Sequence, residues 1–184
     1  MLPDARGGGL PLTCHCAPDG VRSSQYFESR GGKFPEVCFF GLQYFIKRYL
    51  CGVVVTQEKI DYAKELLANH MGPAHFNEEG WLHILNEHGG MLPISIKSVP
   101  EGSVVPVKNV LFTMVNTDPK CFWLTNYLET LMVEVWYPMT VATNSREQMK
   151  IIKKYLAKTG CPADAIDATS KFKVRAHVAE HVSP

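Results

Sequence analysis

Two groups of basic residues are the parts of this sequence whose types and spacing could do chemistry, and both would hold an anion. Arg30-Gly31-Gly32-Lys33 sets cations around glycines whose backbone N–H groups can approach a phosphate, although the full P-loop pattern is missing and a plain turn would use the same residues. Arg146, Lys150, Lys153 or Lys154, and Lys158 recur at about one helical turn and would make a continuous basic stripe. The solvated side of an ordinary amphipathic helix has the same pattern. Arg146 also lies within six consecutive polar residues, Thr143 to Gln148, between a nearly all-apolar run and a lysine-rich segment. Those six are either a joint between two helices or the lining of a site.

Other reactive residue types offer less. Cys14-His15-Cys16 supplies three metal-ligand types, but adjacent residues rarely all close on one ion and no second cluster completes a tetrahedral set, so no metal site is assigned. The seven histidines are scattered, and none pairs with a carboxylate by spacing. His70, His75, His83 and His88 are expected at helix ends and surfaces. Ser145 has no nucleophile-elbow context. No catalytic residue is assigned within the chain.

The elements that must position these residues belong to a chain of 184 residues, 46% hydrophobic and 20% charged, enough for one domain with a real core. Nineteen Lys and Arg balance eighteen Asp and Glu to a net charge of +1, so no bulk attraction to nucleic acid or anionic membrane is expected and an anion site would be local. No apolar run approaches the roughly 20 residues of a membrane span, and the first residues lack the apolar core of a secretory signal. A cytoplasmic location is expected, with Cys38, Cys51, Cys121 and Cys161 reduced.

Residues 1–22, rich in Gly and Pro, are expected to be a mobile tail, and the folded pattern runs over 23–160. Phe39, Leu42, Ile46 and Tyr49 have helical spacing. Thr56 and Asn77 are placed to cap the next two helices, the second carrying Trp81, Ile84 and Leu85. Ile94 to Val99 and Val110 to Val115 alternate as strands around a Pro100-Glu101-Gly102 turn. Asp118-Pro119 is an N-cap with proline at N1, opening a helix that carries Leu124, Leu128, Leu131 and Val135. Pro138 is expected to end that helix and a further one to begin within VATNSREQ, with no confident element after Gly160. The fold class is α+β, with helices outnumbering strands.

YFESRGGKF, VCFFGLQYFIKRYL, VVTQEKIDYAKEL, FNEEGWLHIL, LPISIKSVPEGSVVPVKNVLFTMVNTDPKCFWLTNYLET and WYPMTVATNSREQMKIIKKYL follow one another in the same order as in the nicotinamide phosphoribosyltransferase family. From about Ser24 to about Gly160 the chain resembles the N-terminal portion of that family. The resemblance implies a helix-rich portion of a two-domain homodimeric phosphoribosyltransferase, its barrel domain largely missing here. It also implies a reaction: nicotinamide and phosphoribosyl pyrophosphate, accompanied by Mg²⁺, give nicotinamide mononucleotide and pyrophosphate in NAD salvage. It places Arg30 as a phosphate-binding residue reaching the neighbouring subunit's site, and leaves Arg146 open between contacting phosphate and bracing helices. The family's catalytic histidine and nicotinamide-orienting carboxylates are expected outside this stretch. In the divergent tail 161–184, with Phe172-Lys173 and Val182-Ser183 registered on the flanks of the family's next motif, no aromatic or arginine occupies its key positions. An inactive fragment is therefore expected, or a non-catalytic protein that pairs with a full-length member in a homo- or mixed dimer.

Overall fold

The computed structural model describes residues 15–16, 23–72, 75–162 and 164–169. Most of the expected N-terminal tail and of the divergent C-terminal segment lies outside these residues.

The core is built on strand β2, Ser23–Glu28, where Ser23, Gln25 and Phe27 are buried and the residues between them are not. That period of two is what a sheet with one covered face requires. Strand β1, His15–Cys16, flanks β2 on one side, and on the other lies β6, Val110–Asn116, itself flanked by β4, Ile94–Ser98. All pairs are antiparallel, in the order β1-β2-β6-β4. A bulge follows Phe27 in the β2–β6 register, where Phe27 sits opposite Phe112 with their rings stacked 4.8 Å apart. A second, two-stranded sheet joins β3, Glu36–Cys38, to β5, Val104–Pro106.

Helices cover these sheets. A short helix, α1, Leu42–Phe45, continues into a wider turn over Ile46–Leu50, so the helix predicted from Phe39 begins three residues later, and β3 occupies the segment just before its expected start. Helix α2 spans Gln57–His70 and α3 spans Glu78–Glu87. As the sequence predicts, the Thr56 side chain accepts from Lys59 N and Asn77 Oδ1 accepts from Gly80 N at 3.1 Å. Trp81 of α3 stands edge-on to Trp123 and Tyr127, with centroids 4.8 and 5.0 Å away.

The apolar segment after Asp118 is not one helix. A single tight turn, Pro119–Cys121, leads into α4, Phe122–Tyr127, then α5, Glu129–Val133, and then α6, Trp136–Lys158. Pro138 does not terminate anything: it lies in the first turn of α6, where a missing N–H costs no intrahelical bond. The helix that follows therefore starts before VATNSREQ and runs through it. The whole is an α+β fold with a small antiparallel sheet and mixed helices, and no barrel is present among the described residues. No described helix is long and apolar enough to cross a membrane.

One buried polar group is out of balance. Gln25 is 1% exposed, and among the described residues neither its Nε2 nor its Oε1 has a hydrogen-bond partner. Gln25→Met keeps the volume and removes that desolvation cost, so it is expected to raise stability by about 1–2 kcal/mol, read in a urea titration. Destabilisation would show that the amide is paired.

Candidate functional site

The six polar residues around Arg146 do not join two helices; they lie in mid-helix, where α6 meets β3. Thr143, 7% exposed, donates to the Met139 carbonyl at 2.8 Å and accepts from Cys38 N at 2.9 Å. One turn further on, Arg146 Nη2 lies 3.4 Å from Glu36 Oε2 of β3, and its Nη1 donates to Glu147 at 2.7 Å. The Thr143 and Glu36 contacts fasten the helix to the backbone and edge of the same strand. Thr143→Val keeps the shape but leaves Cys38 N without its acceptor. A loss of about 1–2 kcal/mol is expected in thermal unfolding, and no loss would remove Thr143 from this seam.

The basic stripe is largely engaged. Lys150 donates to Glu147 at 2.6 Å, Lys153 reaches Asp167 at 2.5 Å, and Lys158 stands over the Tyr155 ring. The Lys150 hydrogen bond, supported by the charges of Lys150 and Arg146, holds the Glu147 carboxyl below its usual range. Arg30 differs. It follows β2, is exposed, and makes no hydrogen bond or ion pair among the described residues. Gly31 beside it has φ 118° with open space where a side chain would stand, so the turn presents bare backbone next to the guanidinium. Among the described residues no hydrogen bond or ion pair links Arg30 to Arg146.

A second constellation is not legible from sequence spacing. His83 Nε2 and His88 Nε2 each lie 2.7 Å from the same atom, Asp118 Oδ2. Spacing shows no histidine–carboxylate pair because the partner lies 35 and 30 residues further along the chain and is brought in by the turn after β6. His83 and His88, expected only at helix ends and surfaces, are in fact paired. Asp118 Oδ1 meanwhile accepts from Lys120 N at 2.8 Å, capping the turn that opens toward α4. Buried Asn116 donates to the Asp118 carbonyl at 2.7 Å and accepts from Ser23 N at 2.7 Å, which fixes the aspartate's backbone against β2. The two imidazoles, His83 foremost, and the Lys120 amide hold the Asp118 carboxyl far below its ordinary range. Cys121, fully buried, lies beside them, and its burial, together with the Asp118 charge, pushes its thiol up to about 11.

The ligating atoms of His83, His88, Asp118 and Cys121 all lie within 4.8 Å of one another. A nitrogen- and sulfur-rich set of this kind does not fit Mg²⁺, which takes oxygen ligands. The sequence holds only two separate pairs, His-x4-His and Asp-x2-Cys, and neither by itself says that the other lies beside it.

An α+β domain whose small antiparallel sheet is covered by helices, with an exposed arginine at the end of β2, is the class these elements define. Within that class, the N-terminal portion of the chain resembles the nicotinamide phosphoribosyltransferase family. Residues 15–96 match the model described as nicotinamide phosphoribosyltransferase, N-terminal domain. A nicotinamide phosphoribosyltransferase of Xanthomonas campestris pv. campestris (strain 8004) is 46% identical over 167 residues, covering 90% of this chain and 34% of the relative. One of Acinetobacter baylyi (strain ATCC 33305 / BD413 / ADP1) is 34% identical over 140 residues, covering 71% of this chain and 27% of the relative. The chain thus spans about a third of the length of these relatives.

Proposed function

We propose that this chain is the N-terminal portion of a two-domain nicotinamide phosphoribosyltransferase, contributing to the reaction of nicotinamide with phosphoribosyl pyrophosphate that yields nicotinamide mononucleotide and pyrophosphate. The observation that carries this reading is the 46% identity sustained over 90% of the chain. Displacement at the ribose anomeric carbon builds oxocarbenium character and expels a polyanion, so the reaction depends on cations fixed where that charge lies. Arg30 is the cation that suits this role, being exposed, without partners among the described residues and set beside open glycine backbone. Arg146, held by Glu36 and Glu147, is assigned to bracing. Mg²⁺ accompanies the phosphoribosyl substrate in this reading, and among the described residues no oxygen-rich ligand set is gathered for it.

The remaining chemistry belongs to regions of the relatives that this chain does not span. Phe122, Trp136 and Tyr137 expose large apolar surface around α4 and the start of α6, which favours pairing with such a region or with a second subunit, in a homo- or mixed dimer. The test is an assay for nicotinamide mononucleotide with nicotinamide, phosphoribosyl pyrophosphate and Mg²⁺, run on the purified chain alone and mixed with a full-length family member. No product alone and a changed rate in the mixture are expected. Product from the chain alone would overturn this division of labour. An unchanged rate with no co-elution in gel filtration would remove the pairing.

A further inference from the structure

The His83, His88, Asp118 and Cys121 cluster has features that a simple hydrogen-bonded latch does not need. Two imidazoles converge on one carboxylate oxygen, although a single donor would anchor it. A buried thiol stands as a fourth donor within 4.8 Å of the other ligand atoms. The carboxylate's second oxygen and its backbone carbonyl are each held from outside the cluster, by Lys120 N and by Asn116, which is the outer-shell support that ligating carboxylates characteristically have. His83 and His88 come from α3 and its C-terminal cap, while Asp118 and Cys121 flank the turn after β6, so the four ligands bridge two separate parts of the fold.

We propose that these four residues form a closed tetrahedral site for a borderline transition-metal ion of the zinc class, one that fastens the end of α3 to the turn leading into α4. The donor set is two imidazole nitrogens, one carboxylate oxygen and one thiolate, the mixture that Zn²⁺ accepts and hard cations refuse. Ligand atoms around tetrahedral zinc stand roughly 3.3–3.8 Å apart, given bond lengths of about 2.0–2.3 Å. Entry of the ion therefore has to open each 2.7 Å imidazole–carboxylate contact by roughly an ångström. Each ring moves its Nε2 proton to Nδ1, and the Cys121 thiol releases its proton to solvent. One carboxylate and one thiolate then balance the two charges of the ion, so a partly buried site carries no net charge. This site is independent of the phosphoribosyl chemistry and of Arg30.

The experiment uses the full chain carrying Cys14→Ser and Cys16→Ser, which removes the competing thiols near the N-terminus. After chelator treatment and dialysis, Zn²⁺ is titrated calorimetrically, and Co²⁺ is added separately as an optical probe. One equivalent of zinc per chain is expected, with a rise in melting temperature. Cobalt is expected to give the intense visible bands of a tetrahedral centre, with thiolate-to-cobalt charge transfer in the near ultraviolet. Cys121→Ala should abolish the charge-transfer band, and His83→Gln and Asp118→Asn should each weaken zinc binding at least about tenfold, an effect at least as large as loss of an outer-shell contact. Circular dichroism of each variant distinguishes lost ligation from lost folding, and Cys121→Ala reads the site without disturbing the imidazole–carboxylate contacts. Absence of stoichiometric zinc, or zinc binding with unchanged affinity and an unchanged cobalt spectrum in folded variants, would overturn the site and leave a metal-free latch.

Discussion

Phe112→Ala is expected to lower the free energy of unfolding by about 3–5 kcal/mol and the melting midpoint by about 10 °C. Phe112 is 1% exposed and lies in β6, which pairs with β2 on one side and β4 on the other. Its ring stacks on Phe27 at 4.8 Å and an interplanar angle of 12°, and it meets Phe39 at 6.5 Å from the segment after β3. Truncation therefore opens a cavity bordered by two sheets. Because those sheets are constrained by ladders and by the helices above them, little collapse is available to fill it. Val110→Ala in the same strand, where the side chain is 46% exposed, is expected to change stability by well under about 1 kcal/mol. Equal effects at the two positions, measured by urea unfolding, would show that β6 is not the centre of the core.

What is legible in the sequence is local. The caps at Thr56, Asn77 and Asp118 need only residues within three positions of themselves, and all three hold as written. Strands β4 and β6 announce themselves by alternation around a turn. By contrast, β3 pairs with β5 across more than sixty residues, and its Glu36-Val37-Cys38 has no alternation of its own, so the helical periodicity from Phe39 onward hides it. Pro138 misleads because proline signals a helix end only when it falls inside a helix, and nothing local tells the interior from the first turn. The site divides the same way. Arg30 stands out through a resemblance in its immediate neighbours, whereas the histidine–aspartate cluster depends on α3 and the turn after β6 meeting in space. Asn116 carries part of that meeting: its side chain ties the Asp118 backbone to β2, a long-range bond that spacing alone does not reveal.

Gly41→Ala is the other large effect, and it tests why the segments that carry the family resemblance occur together. Gly41 has φ 108° and ψ −16° at the start of α1, a conformation that an L side chain resists. A Cβ there would lie 2.5 Å from Pro138 Cγ and 2.8 Å from Pro138 Cβ, and the proline ring cannot swing aside. The same spot is held by Glu101 of the turn before β5, whose carboxylate accepts from Gly41 N at 2.7 Å and from Gln43 N at 2.9 Å. FGLQYF, VPEGSVVP and WYPMTVATN thus converge on one seam, continued by the Thr143 bond to Cys38 N. Conformational strain of about 1–2 kcal/mol and overpacking of about 1–3 kcal/mol together give an expected loss of about 2–5 kcal/mol. Gly31→Ala separates the two contributions, since φ is 118° there but nothing lies within 4 Å, so it should show the strain alone. Pro138→Ala combined with Gly41→Ala should recover the packing share, a coupling of about 1–3 kcal/mol in a double-mutant cycle. Additive effects in that cycle would mean that α1 and α6 do not meet at this seam, and the convergence of the three segments would need another cause.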